Sequence, residues 1–248
     1  VSKVIHARIH CKKESGGMVE VLLNEPALGA PADAMLHIGQ SDWKCIIGGK
    51  KIIAGMMLQT LDEQADLQIE VLEKHGMDAI VRLQWNGVQT LSDILEKIGK
   101  IPLPPYLNRE AEEEDEERYQ TVYAKDEGSV AAPTAGLHFT DTVFEELKNK
   151  NIHIEELILH VGLGTFKPFD AEEVDEFSMH PENIIVRKEV IESCIAFFSQ
   201  EYRGACMAVG TTSCRTMESL YWFGVALCNP EFPAWKTGRF SLGQWDSY

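Results

Sequence analysis

Three histidines fall in loops whose neighbours suit a ligand site. His138 lies near the end of the run Gly128–Thr140, GSVAAPTAGLHFT. His160 opens His160-Val161-Gly162-Leu163-Gly164-Thr165-Phe166, and His180 stands two residues before Glu182 in MHPE. Imidazole gains and loses a proton near neutral pH, so three from separate loops could converge as general acids and bases. Glu182 could orient His180 or act itself. Each histidine taken alone is more often a satisfied structural residue. Ser129 has no base partner in view, so covalent catalysis through its hydroxyl is not indicated.

The loops around them are built for close approach. Gly128 to Ala132 is small and nearly featureless, Pro133 fixes the chain, and Gly136 permits backbone that side chains forbid. Ser129, Pro133, Thr134 and Gly136 are therefore candidate ligand contacts, beside the plainer reading of a buried turn entering a helix. Gly162, Gly164 and Thr165 form a second small-residue loop. It holds G-x-G, but Lys167 stands where a dinucleotide fingerprint needs its third glycine. Thr211, Thr212 and Ser213 place three hydroxyls at a helix start, where open amides favour electron-rich groups or simple capping. Arg215, one turn on, could grip a carboxylate or phosphate with two prongs.

The elements that must position these loops differ between the two parts of the chain. Residues 1–100 read as β-rich. Ile5, Ala7, Ile9 and Cys11 alternate with polar positions, KKESGG turns the chain, and Met18–Leu23 returns as the second arm of a hairpin. Further strands are expected at Trp43–Ile47, Lys51–Ala54, Leu67–Leu72 and Ile80–Trp85, which suggests a small antiparallel barrel. Trp43 and Trp85 read as core residues rather than stacking platforms for bases. A helix at Ser92–Ile98 leads to Ile101-Pro102-Leu103-Pro104-Pro105, a stiff crossing to residues 101–248.

That second part reads as α/β: a helix at Tyr119–Ala124, a helix at Asp141–Lys150 with Thr140 as N-cap and a Phe139–Phe144 staple, a strand at Glu155–Val161, a helix at Val190–Phe198, a strand at Cys206–Val209 and a helix from Gly210 to about Ala226. Strand–helix alternation implies parallel pairing. The expected whole is a small antiparallel β-barrel domain joined to an α/β, barrel-like domain, with the site between them.

Composition narrows the partners. The 248 residues carry a net charge of −16, which argues against general affinity for nucleic acid but leaves room for a local basic patch. Lys3, Arg8, Lys12, Lys13, Lys50 and Lys51 make only a weak case for one. The acidic run Glu110–Glu117 reads as a solvated face. Six scattered cysteines without metal-ligand spacing read as reduced core thiols of a cytoplasmic protein, and no bound metal is expected. No apolar run approaches a membrane span, and Val1-Ser2-Lys3 does not open a secretory signal. The chain reads as a monomer and as part of a longer sequence, incomplete at both ends; residues 221–248 have no clear role.

GSVAAPTAGLHFT, together with LHVGLGTFKPF (159–169), MHPE (179–182), AVGTTSCRTMES (208–219), IPLPPYLNR (101–109) and YQTVYA (119–124), resembles the S-adenosylmethionine:tRNA ribosyltransferase-isomerases of queuosine biosynthesis. The resemblance runs from Val1 to about Ser219. Pro181 stands where that family usually has serine, and Lys167 where it usually has arginine. The resemblance implies that S-adenosylmethionine is a co-substrate, with no true cofactor. Its ribosyl group would be isomerised and joined to 7-aminomethyl-7-deazaguanine at a tRNA wobble position, releasing adenine and methionine and leaving epoxyqueuosine. It also implies that His138 or His160 is the base, that His180 and Glu182 assist proton transfer, and that Arg215 with Thr211–Ser213 holds the methionine carboxylate or an RNA phosphate. Two other readings stay open: a non-catalytic RNA-binding module, and a methyltransferase using the same sulfonium compound, against which the absent glycine-rich strand-end loop counts.

Overall fold

The computed structural model describes residues 1–62, 65–166, 180–201, 204–229 and 240–243. Its first strand, β1 (Ser2–Val4), is short. Then six strands close a barrel: β2 (Arg8–Lys13), β3 (Met18–Pro26), β4 (Gln40–Gly48), β5 (Met57–Thr60), β6 (Leu67–His75) and β7 (Asp78–Trp85), in the order β2-β3-β4-β7-β6-β5. Every neighbour in the barrel is antiparallel, and β5 closes the ring against β2. The alternation in sequence is what makes this possible. In β4, Ser41, Trp43, Cys45 and Ile47 point inward and are buried, while their neighbours face out. Trp43 is fully buried and its indole donates to Ser41 Oγ at 3.0 Å; Trp85 is buried too, so both tryptophans belong to the core.

One expected strand is displaced. Lys51–Ala54 is a loop, and the strand begins at Met57 instead. Gly49, Lys51 and Gly55 all adopt positive φ, which breaks an extended run. Two helices pack beside the barrel, α1 (Pro31–Met35) and α2 (Leu91–Ile98). Thr90 and Asp93 form a reciprocal capping box that starts α2, and Leu91, Ile94 and Leu95 bury its apolar face in the barrel core.

The crossing at Ile101–Pro104 is buried rather than solvated. It packs with Val4, Tyr119 and Ala132 in a second cluster. Tyr119–Ala124 is not helical; the helix is α3 (Glu113–Arg118), inside the acidic run. Acids in the first turn match the positive end of the helix, and Asp115 there is buried in a two-pronged pair with Arg109, at 2.5 and 2.7 Å. So the run is solvated except at Asp115.

The next strand, β8 (Asp126–Ser129), pairs in parallel with β1 across more than a hundred residues of sequence. Gln120 fastens β1 from its other side, its amide reaching both the N–H and C=O of Val4. Helix α4 (Asp141–Asn149) starts as expected: Thr140 Oγ1 accepts from Val143 N–H, and the Phe139 and Phe144 rings lie 5.6 Å apart. The buried strand β9 (Ile158–His160) is shorter than expected and pairs antiparallel with β10 (Asn183–Ile185). The parallel pairing expected of this part thus holds for β1–β8 and fails for β9–β10. Helices α5 (Lys188–Phe198) and α6 (Thr211–Cys228) follow, but Cys206–Val209 forms no strand, because no described strand offers it a ladder. No helix among the described residues is long and apolar enough to cross a membrane. Cys11 and Cys45 are buried and Cys194 is half-buried, while Cys206, Cys214 and Cys228 are exposed. The expectation of core thiols therefore fails for those last three.

Candidate functional site

A cavity of about 310 Å³ opens between the barrel and the β8–β9–β10 region. From the barrel side it is lined by Asn24 and Glu25 of β3, Lys44 of β4, and residues around the β6–β7 turn. From the other side come Gly128, His160, Gly162, Leu163, Gly164, His180 and Asn183. The strands explain the convergence. β9 delivers His160 at its last residue, β10 begins just after His180, and β8 brings Gly128 against the His160 ring. A Cβ on Gly128 would lie 3.2 Å from His160 Nδ1 and only 2.6 Å from Pro31 Cβ. Gly128 also has φ +124, so it is glycine for both space and conformation.

His160 is 5% exposed, and neither ring nitrogen has a hydrogen-bond partner in the protein. Burial pushes its pKa below the usual histidine value, against an opposing pull from Asp126. The ring is therefore neutral at pH 7, with a lone pair able to take a proton. An unpartnered buried imidazole facing a cavity is expensive unless something fills the site.

His180 and Glu182 form the second cluster. His180 Nε2 lies 3.4 Å from Glu182 Oε1. The Glu182 side chain is only 7% exposed. Thr212 Oγ1 donates to Oε1 at 3.4 Å and Arg215 Nη1 to Oε2 at 3.5 Å. One carboxylate thus holds the start of α6 and lies within ion-pair reach of the histidine, whose buried Nε2 makes no hydrogen bond in the protein. Gly164 lies so close to His180 that any Cβ there would overlap the ring.

Asn24 was not foreseen from sequence. Its Oδ1 accepts from Leu163 N–H at 2.8 Å, and a Cβ on Gly162 would sit 2.8 Å from the same oxygen. Asn24 occupies the bulge where the β3–β4 register shifts, which re-aims its side chain toward the loop. Next to it, Glu25 pairs with Lys44 at 2.7 Å and accepts from Asn183 at 3.3 Å. The polar pair Asn24-Glu25 at the end of a mostly apolar strand was the available signal.

Other expected contacts lie elsewhere. Ser129 is fully buried and already occupied: its hydroxyl donates to Ala131 C=O at 2.8 Å and accepts from Val161 N–H at 3.1 Å. Thr134 and His138 are exposed on a short 3-10 turn, Pro133 is half-buried, and none of the three lines the cavity. Gly136 is buried under Tyr123. The turn does reach α6, since a Cβ on Gly210 would meet Ala135 Cβ at 3.5 Å. Thr211 is exposed and Ser213 half-buried at the head of α6, where no side chain caps the helix. Thr165 lies in the short helix Leu163–Phe166; its side chain, like all of Lys167, falls outside the described residues. Among the described residues, no group of three or more His, Cys, Asp or Glu is placed to hold a metal ion.

A family model described as "Queuosine biosynthesis protein" matches residues 1–236. Curated relatives named S-adenosylmethionine:tRNA ribosyltransferase-isomerase include one from Thermotoga petrophila, 43% identical over 89% of this chain and 59% of its own length. Those from Aquifex aeolicus and Trichlorobacter lovleyi are 39% and 38% identical, each over 88% of this chain, with 60% and 59% of their own length covered. The chain thus spans about three fifths of the curated relatives it matches.

Proposed function

Because the chain belongs to the queuosine biosynthesis protein family, we propose that this protein is an S-adenosylmethionine:tRNA ribosyltransferase-isomerase. It takes the ribosyl group of S-adenosylmethionine, isomerises it, and joins it to 7-aminomethyl-7-deazaguanine at a tRNA wobble position. Adenine and methionine depart, and the sugar becomes the epoxycyclopentane of epoxyqueuosine. The reading extends to two domains, residues 1–100 and 101–248, and to a soluble cytoplasmic monomer.

The observation that carries the reading is the buried, unpartnered His160 facing a cavity shared by barrel and α/β elements. The positive sulfur of the co-substrate acidifies the neighbouring 5′-carbon, and a neutral imidazole suits removal of that proton. His160 fits this role better than His138, which is exposed and does not line the cavity. Departing adenine needs a proton. His180, with Nε2 3.4 Å from Glu182, is the proposed source, and the hydrogen bonds from Arg215 and Thr212 to Glu182 place that carboxylate at the head of α6. There, Arg215 and the hydroxyls of Thr211–Ser213 are proposed to meet the methionine carboxylate or an RNA phosphate. Ser129, Pro133, Thr134 and Gly136 then act as a support for the loop more than as direct contacts.

The test is mass-spectrometric. The full-length protein is incubated with S-adenosylmethionine and a tRNA bearing the aminomethyl-deazaguanine base. Release of adenine together with the epoxyqueuosine mass supports the proposal. Methylated RNA, or binding without any product, overturns it. Replacing His160 by glutamine should then lower turnover at least about a hundredfold, and near-normal turnover would remove it from the role of base.

A further inference from the structure

Lysines far apart in sequence meet at one end of the barrel. The β2–β3 turn, the loop from Gly48 to Met57 and the β6–β7 turn all lie at that end, as the pairings Lys12–Met18, Glu20–Gly48, Lys13–Leu58 and Ile46–Asp78 require. Lys13 Nζ donates to the Lys50 carbonyl at 2.8 Å, fastening the first turn to the second. The backbone N–H of Ile47 donates to Met77 C=O at 2.9 Å, fastening the third. Lys12, Lys13, Lys50 and Lys51 are thereby gathered against Glu14 at the first two turns, a locally positive surface on a chain of net charge −16, while Glu20 beside them is paired with Arg8 at 3.3 Å, Glu70 stands opposite Met57, and Lys74 at the third turn is offset by Glu73 and Asp78. Lys50 and Lys51 are exposed. The same end borders the cavity, because Glu73, His75 and Asp78 line its rim.

We propose that this barrel end is the surface that holds the phosphate backbone of the tRNA substrate, next to the cavity that takes the base. The proposal rests on the function proposed above. Its argument is charge: a protein this acidic repels a polyanion everywhere except where cations are concentrated. Its geometry is a rigid one, since the turns are tied to each other by hydrogen bonds and need no ordering on contact. Lysine suits the task as a mobile point charge that follows a backbone without reading sequence.

The experiment measures tRNA affinity of the full-length protein against salt for the wild type and for Lys50→Gln/Lys51→Asn. Asparagine is chosen because Lys51 has φ 58, which it tolerates. A control, Lys148→Gln/Lys150→Gln, removes equal charge from the end of α4. Losing two phosphate contacts should lower the slope of log affinity against log salt by about 1.8, and raise Kd about 30-fold at 0.15 M salt if affinity at 1 M is unchanged. The KM for tRNA should rise while kcat at saturating tRNA stays near that of the wild type. The control should bind as the wild type does. Unchanged affinity in the Lys50/Lys51 variant overturns the surface, and so does an equal loss in both variants, which would make the effect one of total charge. A wild type that binds no tRNA at all sinks the proposed function itself, and this surface with it.

Discussion

Gly164 offers a sharp test of the site's geometry. It has ordinary backbone angles, so alanine there meets no conformational penalty. The obstacle is His180. A Cβ on residue 164 would overlap His180 Cγ and Cβ and lie 2.5 Å from Cδ2, and ordinary contact begins near 3.4 Å. The whole His180 side chain, Cβ included, must therefore retreat by more than about 1 Å. That retreat acts on a contact of 3.4 Å between His180 Nε2 and Glu182. Overpacking of this kind costs about 1–3 kcal/mol. A misplacement of about 1 Å in a proton-transfer group costs about a hundredfold in rate. Gly164→Ala should thus lose stability by that amount in urea unfolding and turnover by about two decades in adenine release. The cause is separable by a double-mutant cycle. In a His180→Gly background both the ring and its Cβ are gone, so Gly164→Ala should cost less than about 0.5 kcal/mol. An equal penalty in both backgrounds would refute the steric account, and full turnover in Gly164→Ala would refute the role given to His180.

Three further outcomes are expected. Ser129→Ala removes the hydroxyl's bond to Ala131 C=O and one of two acceptors of Val161 N–H, which keeps Leu159 C=O at 3.1 Å, so it should cost only about 0.5–1.5 kcal/mol of stability while the KM for S-adenosylmethionine in steady-state assays stays unchanged. Burial pushes the Cys11 and Cys45 thiols up to about 12; alkylation of the native protein at pH 8, mapped by mass spectrometry, should mark Cys206, Cys214 and Cys228 and spare both until denaturant is added. The hydrogen bonds from Arg109 hold the Asp115 carboxyl well below the usual carboxylate range. A depressed pKa contributes stability that is present above the unfolded value, about 3.9, and is lost as pH falls below it. Asp115→Asn should therefore destabilise the protein at pH 7, and the gap from the wild type in urea titrations should narrow as pH drops below about 4.

The barrel was legible in the sequence because its signals are local. Ile9 and Cys11, and then Ser41, Trp43 and Cys45, alternate with polar neighbours, and that period fits a strand with one buried face. The α4 cap was legible for the same reason: Thr140, Phe139 and Phe144 act within one turn of each other. Lys51–Ala54 misled because β-propensity in Ile52-Ile53 is overruled by the glycines on either side, and Tyr119–Ala124 because the helix dipole rewards the acids before it.

Sequence alone singled out His160, Gly162, Gly164 and His180, which line the cavity, and Glu182 and Arg215, which lie beside His180 and within α6. Only the tertiary structure decided their parts. It buried Ser129 in its own backbone, left His138 exposed, and brought Asn24 from the barrel to Leu163, 139 positions away in sequence. It also gathered lysines from two turns that make no pattern when the chain is read in order. The reason is physical. Residue type and spacing fix which groups are available and how one turn or strand folds, whereas convergence depends on strand register and close packing between segments that share no local signal.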